Sequence, residues 1–239
     1  STPLYSSAAS DVYKRQTMRK TFIKQGYFGI SIFSLLCLIS MVLYPGGTII
    51  DSSTVGYLFF YNFLSNLGEW TAKNGDPNFY SAILFNISMI VLAVSYSVFY
   101  YNFLMIVIKK SKNAILKFLL ISSISISLIG FVCVALFSSD PETFELHILF
   151  VKIGFYSLLF HCLVQTIFIK SIEDFSKVLY NVSLVFSVIL FLFVLIMEFG
   201  PNPFENNESL FVQVTSQKVI VFSILSYYFF QVRETLKTF

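Results

Sequence analysis

The chain has 239 residues, 56% of them hydrophobic and only 12% charged, with a formal net charge of +3. Ordinary soluble proteins carry about 25% charged residues. A water-soluble fold cannot bury this much apolar surface, whereas a bilayer can, and no nucleic-acid partner is expected.

Residues 1–16, STPLYSSAASDVYKRQ, are Ser/Ala-rich and lack an apolar period. They resemble translated adapter read-through, so residues 1–17 are read as an artefact, expected to be disordered and left out of fold reasoning. Met18 then opens a short basic leader, MRKTFIKQ, and 18–239 are read as a single six-helix transmembrane domain. Crossing the hydrocarbon takes about 20 apolar residues. The first such run is 27–44, and it leads into YPGGT.

The next stretch, GYLFFYNFLSNLGEW (56–70), is aromatic-rich. Residues 56–67 would reach about 18 Å as a helix, too short for a hydrocarbon core of about 30 Å. Read at helical period, Tyr57, Phe60, Tyr61, Leu64 and Leu67 share a face, with Asn62, Asn66 and Glu69 elsewhere. Trp and Tyr favour the headgroup level. The pattern therefore predicts a short interfacial helix over 57–67 that caps the outer mouth and is stopped by Gly68. Its Tyr57, Phe60, Tyr61 and Leu64 face is expected to turn toward the bundle. Ser65 and Asn66, at its C-terminal end, are expected to hydrogen-bond the segment from Asp140 to His147.

The second span, 79–107, carries Ser81, Ser88, Ser95 and Asn102 at seven-residue spacing, which reads as a close-packing seam. A basic connection, 108–117, leads to the third span, 118–137. Its SSISIS alternates like a strand, but a lone strand in lipid leaves backbone groups unpaired, so it is read as helix. The fourth span, 148–169, holds Lys152 near its outer end. Deeper in the same span, Ser157, His161 and Gln165 lie four residues apart on one face. Intramembrane polar residues normally face the bundle interior and partner one another. His147 and His161 are separated by about 21 Å along one helix, so one ion cannot take both at metal–nitrogen distances near 2 Å. No metal and no cofactor is expected. The fifth span, 179–199, ends at Glu198. The sixth, 212–232, is polar over its outer third and contains Lys218. Cys37, Cys133 and Cys162 all lie in apolar runs and read as packing residues.

Charge orients the bundle. The inner segments hold Arg19, Lys20, Lys24, Lys109, Lys110, Lys112, Lys117, Lys170, Lys177, Arg233 and Lys237, and the outer ones only Lys73, Lys152 and Lys218. The positive-inside rule then puts both termini in the cytoplasm. The longer connections face outward, and loops carry function more often than scaffolds do.

YPGGT, GYLFFYNFLSNLG and NFYSAILFN together resemble the membrane family called domain of unknown function 998. FSSDPETFELH (137–147) is similar to that family's Phe-Pro-x-Asp segment followed by a His opening span four. The wider group includes six-span proteins of the damage-regulated autophagy modulator and FGF-receptor-activating type. The resemblance implies a six-span bundle and no established reaction. Asn66 stands where the family often has an acid, and Ser138 and Ser139 replace its usual Pro.

The leading expectation is an integral protein of the cell membrane, without catalysis, that binds or organises lipid or modulates a membrane partner. Its outer polar pocket would be built from Ser65, Asn66, Glu69, Asp140, His147, Lys152, Glu198 and Lys218, with inward cations receiving a phosphate or carboxylate. Another membrane protein or a second copy is the alternative partner. One competing reading is a lipid-directed hydrolase using His147 and Asp140, whose base would need to lie within about 3 Å of its proton donor. The other is a small-solute or proton transporter running past His161 and Gln165.

Overall fold

A computed structural model describes residues 4–108, 113–171 and 176–237, with side chains from Thr17 onward. Lys109, Lys110 and Lys112 of the inner basic connection lie outside the described residues, as do Glu173 and Asp174. The chain forms six long helices: α1 (Leu4–Leu43), α2 (Phe79–Val107), α3 (Ala114–Leu136), α4 (Phe144–Lys170), α5 (Lys177–Phe199) and α6 (Asn207–Leu236). All six are long and apolar enough to cross a membrane, α1 from Thr17 onward. The protein is therefore a multi-pass membrane bundle. The α1 helix begins at Leu4, so helix extends into the segment expected to be disordered.

Several helices start about a turn before their apolar run, because polar caps satisfy the first free amides. The Asn113 side chain accepts from Leu116 N, Ser176 from Val178 N and Asn206 from Ser209 N. Large apolar side chains remain on the outside, among them Phe28, Val42, Ile115 and Phe199. That surface is what a bilayer covers and water does not.

The helices form a ring. Each packs on its neighbour in sequence, and α1 closes on α6. Small residues set the closest approaches. Ser40 Oγ donates to Ser81 O, Cys37 Sγ lies 3.5 Å from Ser88 Oγ, and Gln25 Nε2 donates to Ser95 O at 2.7 Å. The seven-residue serine repeat of α2 thus faces α1, as a packing seam should. Between α3 and α4, Ser127 Oγ donates to Gly154 O, and a Cβ on Gly130 would meet the Gly154 backbone at 2.9 Å. SSISIS is helical, with Ser123 and Ser127 buried.

The connection from Tyr44 to Asn78 folds over one end of the ring. At Gly47, φ is +81° and a Cβ would lie 2.2 Å from Asn74 N. Only glycine serves at such a position. Thr54 O accepts from Gly47 N, and Gly46 O accepts from Asn74 N, so YPGGT is where two arms of the loop meet. The predicted helix over 57–67 does not form as such: residues 57–63 are non-helical, with a turn at 59–61, and a single 3-10 turn spans Leu64–Gly68. The expected buried face is also wrong in part. Phe60 is 48% and Tyr61 37% exposed, while Asn62 is fully buried. The cause is hydrogen bonding: Asn62 Oδ1 accepts from Leu58 N at 2.8 Å and Nδ2 donates to Gly47 O at 2.7 Å. A buried loop must satisfy its backbone groups, and a short amide can do so where an aromatic ring cannot.

Candidate functional site

Inside the ring, under this loop, lies a chamber of about 550 Å³. Its wall is mostly apolar, including Phe85, Met89, Phe131, Phe155 and Phe193, and a polar rim at the loop end contains Ser65, Asn66, Glu69, Lys73, His147 and Lys152. Concave, largely apolar volumes with a few convergent polar groups are the usual form of a ligand site, typically about 300–1,000 Å³.

The rim is assembled by the short turn and the segment before α4. Leu64 N donates to Gln217 Oε1, which pins the turn onto α6. Asn66 Oδ1 accepts from Phe63 N at 2.8 Å, and its Nδ2 donates to Glu69 Oε1 at 2.9 Å. Glu69 Oε1 also accepts from Ser139 Oγ at 2.6 Å and pairs with Lys73 Nζ at 2.9 Å. The other carboxylate oxygen, Glu69 Oε2, is buried and has no partner. Burial raises the Glu69 carboxyl above the usual glutamate range, against the pull of Lys73, Ser139 and Asn66. Removing a carboxylate from water penalises its charged form, and one cation and two dipoles only partly restore it.

Asp140 closes the joint between the two loops. Its carboxylate accepts from Trp70 N at 3.0 Å and from Ser138 Oγ, and Ser139 Oγ reaches Ser65 O at 3.3 Å. The segments 64–71 and 138–143 are therefore stitched together, but through Ser139 and Asp140 rather than through the Ser65 and Asn66 side chains. His147 is buried with Nδ1 2.8 Å from Phe137 O. A carbonyl only accepts, so Nδ1 carries the proton. No hydrogen bond joins His147 to Asp140 among the described residues.

The cations are placed differently from the sequence reading. Lys152 lines the chamber but pairs with Glu198, 2.9 Å away across α4 and α5, and Glu198 also accepts from Tyr156 OH. Lys218 is buried yet stands outside the chamber wall. Its Nζ donates to Asn62 O at 2.6 Å and sits 5.3 Å from the Tyr57 ring and 5.4 Å from the Phe59 ring. Such placement clamps the loop onto α6 by a charge-assisted hydrogen bond and cation–π contact. The expected pair of inward-facing free cations is not formed.

At the opposite end the chamber is closed by a hydrogen-bonded floor. His161 Nε2 lies 3.0 Å from Gln165 Oε1 and Nδ1 3.1 Å from Ser123 Oγ. Tyr100 OH donates to Gln165 Oε1, and Gln165 Nε2 donates to Tyr227 OH, which also meets Ser183 Oγ. Five helices, α2 to α6, are joined there. Ser157 is not among these partners; Ser123 of α3 takes the place expected for it. Asn62, Lys73, Ser139 and Gln217 were not among the site residues expected from the sequence. Only Lys73 carried a local signal, being four residues after Glu69.

The chain matches no protein-family model, no curated protein and no solved structure.

Proposed function

We propose that this protein binds a lipid or lipid-like amphiphile in the chamber, holding the tail between the helices and the head at the loop-end rim, without catalysis. The observation that supports this reading is the chamber itself: about 550 Å³ of mostly apolar volume with polar groups gathered at one end and the hydrogen-bonded Tyr227 at the other. That gradient matches a molecule with one apolar and one polar end. The basic residues favour an orientation with both termini cytoplasmic and the rim facing outward, in the cell membrane. Kinship with the domain of unknown function 998 family is part of the same proposal, supported by the meeting of the SNLG and FSSDPETFELH segments through Ser139 and Asp140.

The hydrolase reading has less support, because Asp140 is engaged by backbone amides and Ser138 while His147 bonds a carbonyl. A transporter would ordinarily show broken helices, and α2 to α6 run unbroken. The test is Met89→Trp, which fills the chamber from its wall. Native mass spectrometry of the purified wild type should show retained lipid, and the variant, folded by circular dichroism, should lose it. Equal retention by both proteins refutes the proposal.

A further inference from the structure

We infer that the chamber selects a single-tailed amphiphile whose head is uncharged and donates hydrogen bonds through hydroxyl groups, as a glycerol or sugar head does. This rests on the lipid-binding reading above and specifies the ligand for the same site.

The charge at the rim is already balanced. Lys73 pairs with Glu69 and Lys152 with Glu198, each at 2.9 Å. The third nearby cation, Lys218, is turned away to Asn62 O. A phosphate or carboxylate head would meet the Glu69 carboxylate with no unpaired cation to receive it. An ammonium head would be brought beside two existing ammonium groups. In a site of low dielectric either imbalance is costly.

What the rim leaves open is an acceptor. Glu69 Oε2 is buried without a hydrogen bond among the described residues, although the Glu69 side chain forms part of the chamber wall. His147 also belongs to the wall, with Nδ1 committed to Phe137 O. An unsatisfied buried acceptor is uncommon, and one at the edge of a cavity points to the ligand that completes it. Hydroxyl groups supply donors without adding charge. Among the described residues the Ser65 hydroxyl has no hydrogen-bond partner, and Gln217 engages its Oε1, toward Leu64 N. Both residues line the chamber and are free to donate to an ester carbonyl just below the head.

Volume sets the tail. A water-sized group occupies about 30 Å³ in the liquid, so 550 Å³ accommodates one long acyl chain and not two. The tail would run between Phe85, Phe131, Phe155 and Phe193 and stop at Tyr96 and Tyr227.

The experiment uses the full chain in nanodiscs, with radiolabelled 1-monooleoylglycerol displaced by oleate, 1-oleoyl lysophosphatidate or oleylamine. The neutral ligand should bind at least about tenfold more tightly than any of the three charged ones, from the hydrogen bond to Glu69. Glu69→Gln, which puts an amide donor where Oε2 accepts, should cut monooleoylglycerol affinity about tenfold and erase most of the preference. A charged ligand binding as tightly as monooleoylglycerol to the wild type overturns the head assignment, and this arm stands even if Glu69→Gln does not fold. Binding of none of the four, or binding unaffected by Met89→Trp, overturns the lipid-binding reading and this inference with it.

Discussion

Asn62 holds the loop over the chamber, and its removal should cost far more than loss of the aromatic rings around it. In Asn62→Ala two backbone groups lose their partners, Leu58 N at 2.8 Å and Gly47 O at 2.7 Å. Each buried group left unsatisfied costs about 1–3 kcal/mol. Leu58 is only half-buried, which favours the lower half of that range, so the total comes to about 2–4 kcal/mol. For a chain of this size, 1 kcal/mol moves the melting temperature by about 2–4 °C. Melting in detergent micelles should therefore fall by about 4–16 °C. Phe60→Ala is the matched control, because Phe60 is 48% exposed and its ring meets those of Phe59 and Phe211. Its melting point should move by less than about 3 °C, as surface substitutions usually do. Had 57–67 been an amphipathic helix, the order would reverse, since Phe60 would be buried and Asn62 solvated. A larger loss from Phe60→Ala than from Asn62→Ala refutes the hydrogen-bonded loop.

Three further outcomes follow from the geometry. Gly130→Ala places a Cβ 2.9 Å from the Gly154 backbone, so α3 and α4 must separate, at about 1–3 kcal/mol; unchanged melting would show that the crossing is not tight. His161→Leu removes both ring hydrogen bonds, to Ser123 and Gln165, and should destabilise by about 1–2 kcal/mol, since intramembrane hydrogen bonds average about 0.6 kcal/mol each; a stabilised variant would contradict the floor. The raised Glu69 carboxyl means that folding takes up a proton there. That contribution is present below the ordinary glutamate range and is lost as pH rises through the raised folded value. The melting point of the wild type relative to Glu69→Gln should accordingly fall as pH rises above the ordinary glutamate range, about 4, and a rise in that direction would reverse the assignment.

The serine spacing of α2 shows how much a pattern in the chain can carry. Ser81, Ser88 and Ser95 recur at one helical face, and that face meets α1 through Ser40, Cys37 and Gln25. The rim was less legible. Glu69, Asp140 and His147 drew attention as polar residues near apolar runs, yet their partners are Ser139, the Trp70 amide and the Phe137 carbonyl. No local spacing encodes those pairings, and Asp140 and Trp70 are seventy positions apart. Asn62 was misread because helical periodicity sorts residues by hydrophobicity, whereas a compact loop buries whichever side chain can satisfy its backbone.

By itself the chain determines six membrane-crossing helices, and the serine seam, because the need to satisfy every backbone group in hydrocarbon acts on each apolar run separately. Where each span begins and ends is nearly as local, set by capping residues such as Asn113, Ser176 and Asn206. Only the tertiary structure decided that Lys218 clamps the loop instead of entering the chamber, and that Lys152 is neutralised by Glu198. It alone left Glu69 Oε2 unpaired beside an apolar cavity. A polar group in lipid accepts whichever complement the assembled helices bring within about 3 Å. That choice is made by packing between distant segments, which no window of sequence contains.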